Sequence, residues 1–213
     1  MALKFGDTKG KAAKRSVDVY KYVDGENKVR IFGGVLARYV YWLKGTNNKD
    51  IPVECLAFNR EKEKFDNLEV DHVTTYFPDK KCSWSYAVMC IDPTDGKAKP
   101  INLKKKLFEQ VLTAAEDLGD PTDPDEGWEI VFKKVKTGAA AFNVEYTLAV
   151  LKCKKRALTE EERAVIAAAP EIDSLYPRPT PEEVKALLEK LTSGNEEEGS
   201  SEGSTIPEEA RDL

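Results

Sequence analysis

The chain contains 213 residues, of which 41% are hydrophobic and 33% are charged, and its formal net charge is −5. At roughly 150 residues per domain, this length predicts one domain with appendages. No apolar run approaches the ~18 residues that a membrane span needs, and the N-terminus lacks the apolar segment of a secretory signal. We therefore expect a soluble intracellular protein with no membrane partner. Four cysteines in such a chain favour free thiols or a metal site over disulfides.

Charge is distributed unevenly along the chain. Residues 1–156 carry 28 Lys+Arg against 23 Asp+Glu, whereas residues 157–213 carry 5 against 15. The first fifteen residues alone have net charge +4, and residues 196–213 have net charge −6. This polarity indicates a polyanionic ligand that the body binds and the acidic tail imitates. The alternative is two solvated, disordered ends without a partner.

Strand signals dominate the first part of the chain. Runs of β-branched and aromatic residues predict strands at Lys28–Phe32 and Val35–Lys44, with Gly33-Gly34 as a bend or bulge between them. A further short strand is predicted at Ile51–Phe58. The highly charged segment Asn59–Leu68 is predicted to be an exposed loop or a short helix.

The middle of the chain combines strands with one helix. Cys82–Ile91 predicts a continuous strand, and Trp128–Lys136 with Phe142–Lys152 predicts a strand pair. The apolar residues of Leu103–Leu118 have helical spacing, so this segment is predicted to be the central helix. Gly119 is a suitable C-cap for it.

The last third has the signals of helix starts. Thr159 and Glu162 form a capping box that predicts an Ala-rich helix ending before Pro170. A second capping box, Thr180-Pro-Glu-Glu183, predicts a helix to about Leu191.

These elements predict a mainly β (α+β) fold: an OB-fold-like small β-barrel with a central helix, two C-terminal helices and disordered termini. The predicted organisation is a flexible basic arm at residues 1–17 and an OB-fold core at residues 18–156. A helical appendage follows at residues 157–192, and residues 193–213 form an acidic tail that cannot bury enough apolar surface to fold alone.

The cysteines and the single histidine were tested as metal ligands. Cys55, His72, Cys82 and Cys90 lack a Cys-x2-Cys knuckle. Cys82 and Cys90 are about 26 Å apart on an extended strand at ~3.3 Å per residue, so both cannot bind one ion unless the strand breaks. We predict free buried thiols and no metal, with zinc as the alternative.

Catalytic patterns are weak. A nucleophilic triad would depend on His72, whose sequence neighbours include no nucleophile, and no Gly-rich loop that could cradle phosphates is present. We therefore expect a protein without a cofactor that is not an enzyme.

Aromatic and basic residues are interleaved on the predicted strands. On Cys82–Ile91, a period of two places Trp84 and Tyr86 on one face. Rings beside cations are typical of single-strand binding, in which bases stack on the rings and cations follow the backbone. Lysines at a helix start add an anion site. The candidate DNA-binding residues are Arg38, Trp42, Lys80, Lys81, Trp84, Tyr86, Lys104, Lys105, Lys106, Lys134, Lys136, Phe142 and Tyr146.

The alternative for the aromatic residues is burial in the barrel core. For Tyr39, Tyr41 and Trp128 we favour the core.

Several segments resemble the T-even phage helix-destabilising protein family. They are, in order, Lys80–Pro93, residues 104–111, residues 127–138 and residues 142–146. The resemblance implies an OB-fold that binds single-stranded DNA cooperatively in phage DNA replication, recombination and repair, in the cytoplasm of an infected bacterial cell. It places DNA contacts at Lys81, Trp84, Lys105, Lys106, Phe142 and Tyr146.

The two ends also resemble this family. The arm would join protomers through a basic and hydroxyl-bearing motif, here Lys11, Lys14, Arg15 and Ser16. The acidic tail would recruit replication proteins such as a polymerase, a helicase or a helicase loader. One departure concerns zinc, because Ile51 stands where the family's metal knuckle has its first thiol.

Two other functions compete with DNA binding. The first is a replisome adaptor with an OB-like core that touches DNA only incidentally, and the second is a nuclease that uses the many carboxylates. Quenching of Trp fluorescence by short oligonucleotides distinguishes a binder from an adaptor, and a cleavage assay with divalent metal tests for a nuclease.

Overall fold

A computed structural model describes residues 17–45, 48–139 and 143–193. The predicted self-association residues Lys11, Lys14, Arg15 and Ser16 lie outside these ranges, as do the candidate Phe142 and the acidic tail from residue 194.

The described residues form ten strands and five helices. The strands are β1 (Gly25–Leu36), β2 (Tyr39–Lys44), β3 (Asp50–Glu54), β4 (Phe58–Asn59), β5 (Lys64–Phe65), β6 (Ser83–Trp84), β7 (Ala87–Asp92), β8 (Lys97–Asn102), β9 (Ile130–Lys136) and β10 (Val144–Leu148). The helices are α1 (Val73–Tyr76), α2 (Lys105–Leu118), α3 (Glu160–Ala168), α4 (Ile172–Leu175) and α5 (Pro181–Ser193). No helix among the described residues is long and apolar enough to cross a bilayer.

The largest sheet has five antiparallel strands in the order β10-β9-β1-β7-β8. Its inner face packs against α2, because alternate strand residues such as Val29, Ile31 and Val88 join Leu107 and Val111 of the helix in one buried cluster. This cluster is the main core.

The edge strand β10 is covered rather than open. The side chain of Gln110 on α2 donates to the Tyr146 carbonyl at 3.1 Å and accepts from the Leu148 N–H at 2.8 Å. These bonds satisfy backbone groups that an uncovered edge would expose. They also fix the first half of α2 beside β10, which matters for the site below.

The second sheet has the order β3-β2-β6, and β4 pairs with β5 in a separate short hairpin. Tyr41 and Leu43 of β2 pack with Val184 and Leu188 of α5 in a second buried cluster. On the outer face of the large sheet, Ile172 of α4 joins a third cluster with strand residues of β1 and β7.

The architecture is mainly β and is consistent with a small OB-like β-barrel, so the predicted fold class is confirmed. Both capping boxes are also confirmed, since Thr159 pairs with Glu162 and Thr180 pairs with Glu183. The predicted bulge is present, because the pairing of β1 with β7 becomes irregular after Phe32.

Several details of the prediction are wrong. The segment Asn59–Leu68, predicted to be an exposed loop or a short helix, contains the strand β5, which pairs with β4. The strand predicted at Cys82–Ile91 breaks after Trp84, because β6 pairs with β2 in the second sheet, whereas β7 pairs with β1 and β8 in the large sheet. The strand predicted at Val35–Lys44 is split in the same way at Ala37 and Arg38. Strand β8 was not predicted, since its alternating lysines and Pro100 give no clear apolar pattern.

Candidate nucleic-acid interface

A stacked pair of aromatic rings lies where β6 ends. The rings of Trp84 and Tyr86 are 3.5 Å apart between centroids and inclined by only 14°. Trp84 is partly exposed, and Tyr86 is only 4% exposed. The Trp84 Nε1–H donates to the Leu103 carbonyl at 3.1 Å, just before α2 begins. The break in the strand therefore holds Trp84 between β2 and the start of α2.

Three further rings surround this pair. Tyr39 lies edge-on to Trp84 at 6.3 Å, and Phe108 of α2 lies 5.7 Å from Trp84. Phe65 of β5 contacts Tyr39 at 5.1 Å and is 50% exposed. We call Tyr39, Phe65, Trp84, Tyr86 and Phe108 the ring cluster.

Exposed lysines lie on both sides of the ring cluster. Lys80 and Lys81 immediately precede β6, and Lys105 and Lys106 occupy the first turn of α2, next to the carbonyl that anchors Trp84. A helix start is a favourable place for an anion because its N–H groups are unpaired. The two lysine pairs thus place positive charge on the segment before β6 and on the first turn of α2, the two elements that carry Trp84 and Phe108.

The same helix start connects the ring cluster to β9 and β10. The Lys104 Nζ lies 5.8 Å from the centroid of the Tyr146 ring, and Tyr146 pairs with Lys134 across the two strands. Lys134 is half-buried and forms an ion pair with Asp24 at 3.3 Å, whereas Lys136, two residues further along β9, is exposed.

These contacts bring together most of the predicted candidates. Five of the candidate lysines are exposed, and we call them the lysine band: Lys80, Lys81, Lys105, Lys106 and Lys136. Within the described ranges, none of the five forms an ion pair.

Arg38 and Trp42 are not brought to this surface. Tyr39 pairs directly with Trp84, so the two share a face of the sheet, whereas Arg38 and Trp42 alternate to the opposite face. Arg38 is 7% exposed, and its guanidinium lies 4.0 Å from the ring centroid of Tyr176, which follows α4. The C-terminal segment therefore covers a side chain that the sequence alone placed among the DNA contacts.

Three more candidates lie beneath the surface. Tyr86, Lys104 and Tyr146 are all less than 8% exposed, so they support the site and do not line it. The prediction of core positions is confirmed for Tyr41 and Trp128, which are 4% and 0% exposed. Tyr39, also predicted to lie in the core, is only partly buried and packs against the second cluster.

Sequence reasoning missed Phe65 and Phe108 as parts of the site. Phe108 was counted only as an apolar position of the central helix, because a helical pattern does not show which neighbour each apolar side chain meets. Phe65 is the single aromatic residue of the charged segment Asn59–Leu68, and an aromatic residue in an exposed, charged segment could have indicated a binding residue.

The metal candidates are divided between two clusters. Cys55 belongs to the second cluster, where its thiol donates to Asp71 at 3.4 Å, whereas Cys90 belongs to the main core. A hydrogen bond with Cys55 lowers the pKa of Cys82. The described residues contain no group of three or more His, Cys, Asp or Glu side chains that could hold a metal ion. The strand that separated Cys82 from Cys90 in the prediction is broken, but the two thiols still lie in different parts of the core.

The fold and this surface define a small OB-like β-barrel with lysines beside a partly exposed ring stack. A probable ssDNA-binding protein of Escherichia phage T5 is 28% identical to the chain over an alignment of 229 positions that covers 92% of the chain and 89% of the phage protein. Comparison with models of known protein families gives no match.

Proposed function

We propose that the chain binds single-stranded DNA without sequence preference. The observation that carries this proposal is the Trp84–Tyr86 stack, which is partly exposed at Trp84 and flanked by the lysine band. The similarity to the phage T5 protein, which is named a probable ssDNA-binding protein, supports it independently.

The arrangement explains both affinity and lack of sequence preference. A base that stacks on an aromatic ring contributes about 1–3 kcal/mol, and every base has a face that can stack. The lysines of the band neutralise phosphates, which are the same in every sequence. A ligand recognised by these two features is a single strand, because the bases of a duplex are already stacked on each other.

We further propose that binding is cooperative and serves phage DNA replication, recombination and repair in the infected bacterial cell. Lys11, Lys14, Arg15 and Ser16 of the basic arm would contact a neighbouring protomer, and the acidic tail would bind replication proteins. The role is binding and protection of the strand, which needs neither a cofactor nor a catalytic group.

The test is a titration of the full chain with oligo-dT at several salt concentrations, followed by Trp fluorescence, with duplex DNA as the control. We expect quenching by oligo-dT, weak binding to duplex, and a slope of log K against log salt of about −0.7 per neutralised phosphate. Replacement of Lys105 and Lys106 by Gln should make the total slope of log K against log salt less steep, because fewer phosphates are neutralised. Lys185→Gln on α5 should leave the total slope unchanged. Absence of quenching, or equal affinity for duplex, would contradict the proposal and favour the adaptor.

A further inference from the structure

The β4–β5 hairpin presents an exposed ring at the margin of the ring cluster. The Phe65 ring is 5.1 Å from Tyr39 and 5.2 Å from Phe58, yet half of the residue remains exposed. Tyr39 is in turn 6.3 Å from Trp84, so Phe65 and Trp84 are no further apart than the sum of the two steps, about 11 Å. A strand with the duplex rise of ~3.4 Å per nucleotide covers this distance in about three nucleotides.

The hairpin is held in a defined shape. The Asn59 amide donates to the Asp66 carboxylate at 2.8 Å, and its carbonyl oxygen accepts the N–H groups of Glu61 and Lys62, each at 3.0 Å. The Asp66 N–H also donates to the Ala57 carbonyl at 3.1 Å. A ring presented on a preorganised turn loses little conformational entropy when a ligand binds.

Charged residues directly precede Phe65 in the hairpin. Lys62 and Lys64 are exposed, and Glu63 lies between them. Burial raises the pKa of Tyr86, and a hydrogen bond with Glu63 raises it further. The Glu63 carboxylate is therefore close to the ring cluster, where it would repel the phosphates of a strand that passes from Trp84 to Phe65.

We propose that Phe65 is a second base-stacking residue and that the bound strand runs from Trp84 onto the β4–β5 hairpin. This inference rests on the proposed function and specifies the path of the ligand. A nucleobase is the expected occupant because the half-exposed Phe65 ring is continuous with the ring cluster and follows two exposed lysines, Lys62 and Lys64, and rings beside cations are the combination that binds single strands. An apolar segment of a protein partner is the competing occupant, and the test distinguishes the two.

The experiment compares oligo-dT affinities of variants of the full chain at several oligonucleotide lengths. Phe65→Leu keeps an apolar contact with Tyr39 but removes the ring, and it should weaken binding roughly five-fold or more for oligonucleotides long enough to reach the hairpin. Oligonucleotides that span only Trp84 should be unaffected. Leu68→Ala is the matched control, since Leu68 is 74% exposed in the same segment and has no ring.

A second variant has the opposite expected sign. Glu63→Gln removes the repulsive charge and should strengthen binding at low salt, whereas Glu160→Gln on α3 should change nothing. A role of the hairpin in folding alone would not strengthen DNA binding.

The outcomes separate this inference from the proposed function. If the wild-type chain binds oligo-dT and Trp84→Ala weakens it, but Phe65→Leu and Glu63→Gln have no effect, the hairpin path is wrong and the proposed function stands. A loss for Leu68→Ala equal to that for Phe65→Leu would show an apolar surface without stacking and would also overturn the inference. If the wild-type chain does not bind oligo-dT at all, both proposals fail.

Discussion

Two groups of aromatic residues in this protein are built from similar side chains but have different surroundings. In the main core, Tyr22 contacts Tyr20, Phe132 and Tyr146 with ring centroids 5.3–5.8 Å apart, and each of these rings is 7% exposed or less. In the ring cluster, Trp84 is partly exposed and Phe65 is half exposed. Helix α2 and the bonds of Gln110 cover the first group, whereas strands of only two residues, β4, β5 and β6, border the second.

The difference separates stability from binding. A fully covered ring contributes its whole transfer free energy to folding, since it has left water completely. A partly exposed ring keeps some of that free energy available for a ligand, since part of its surface is still in contact with water. We therefore expect substitutions in the first group to change unfolding and those in the second to change DNA affinity.

The largest expected effect is on stability. Phe132→Ala should reduce the free energy of unfolding by about 3–5 kcal/mol, because Phe132 is 0% exposed and its removal leaves a cavity in the main core. Phe65→Ala, the matched change in the ring cluster, should cost about 1 kcal/mol or less. Urea denaturation followed by circular dichroism measures both values, and similar losses for the two variants would remove the distinction between the groups.

The next effect is on affinity. Trp84→Ala should weaken oligo-dT binding by about 1–3 kcal/mol, because it removes a stacking ring, while the chain stays folded. Trp84→Phe keeps a ring but loses the hydrogen bond to the Leu103 carbonyl, and it should retain most of the affinity. Binding and thermal unfolding are measured on the same samples. Unchanged affinity, or a loss that follows a melted core, would show that Trp84 is structural.

The sequence was sufficient for features that depend on neighbours in the chain. Both capping boxes, the C-cap at Gly119 and the bulge after Phe32 were predicted, because each depends on a few adjacent residues. The periodicity of the central helix was also visible, since its buried residues Leu107, Val111 and Ala114 lie on one face. The element types, and from them the fold class, followed from these local signals.

Local sequence signals could not predict which residues lie at the candidate site. Arg38 and Trp84 look alike in sequence, as polar or aromatic residues on strands, but the chain after α4 covers Arg38 and leaves Trp84 partly open. Phe65 reaches Trp84 only through Tyr39, which is 26 residues earlier in the chain. Burial and proximity of this kind arise from tertiary packing, which a strand pattern does not contain.

A smaller effect concerns the pH dependence of stability, to which the ion pair of Arg156 with Glu162 contributes. The hydrogen bond from Arg156 lowers the pKa of Glu162. The pKa of Glu162 is therefore lower in the folded chain than its unfolded value of ~4.3. The contribution of the Arg156–Glu162 pair to the free energy of unfolding is complete above pH ~4.3 and is lost as the pH falls through the folded pKa. Arg156→Gln should cost about 1 kcal/mol at pH 7, and the difference from wild type should narrow toward pH 3.

The control for this prediction is Arg163→Gln, which breaks an exposed pair with Asp125 and should have little effect. Both variants should leave oligo-dT affinity unchanged, since they lie away from the ring cluster. A constant difference between Arg156→Gln and wild type from pH 7 to pH 3 would assign the loss to packing.

The smallest expected effect concerns the tail and should appear only in binding. Residues 196–213 have net charge −6, and residues 1–156 have net charge +5. A tethered segment is present near the body at an effective concentration that is about millimolar for a short flexible linker. It should therefore compete with DNA for the lysine band. A chain ending at Asn195 should bind oligo-dT about three-fold more tightly at low salt, because salt weakens the contact between the tail and the body as well as that with DNA.

The salt dependence of the truncated chain identifies the cause. In the full chain, DNA must displace tail carboxylates from some lysines, so fewer counterions are released for each phosphate bound. The slope of log K against log salt should therefore become steeper when the tail is removed. The full chain with Glu196, Glu197 and Glu198 replaced by Gln is the matched control, because it keeps the length of the tail and loses half of its net charge. The affinity and the salt slope of this control should lie between those of the full chain and the truncated chain. The free energy of unfolding should be the same for all three chains. Identical binding curves would mean that the tail never reaches the DNA site and that partner recruitment is its remaining role.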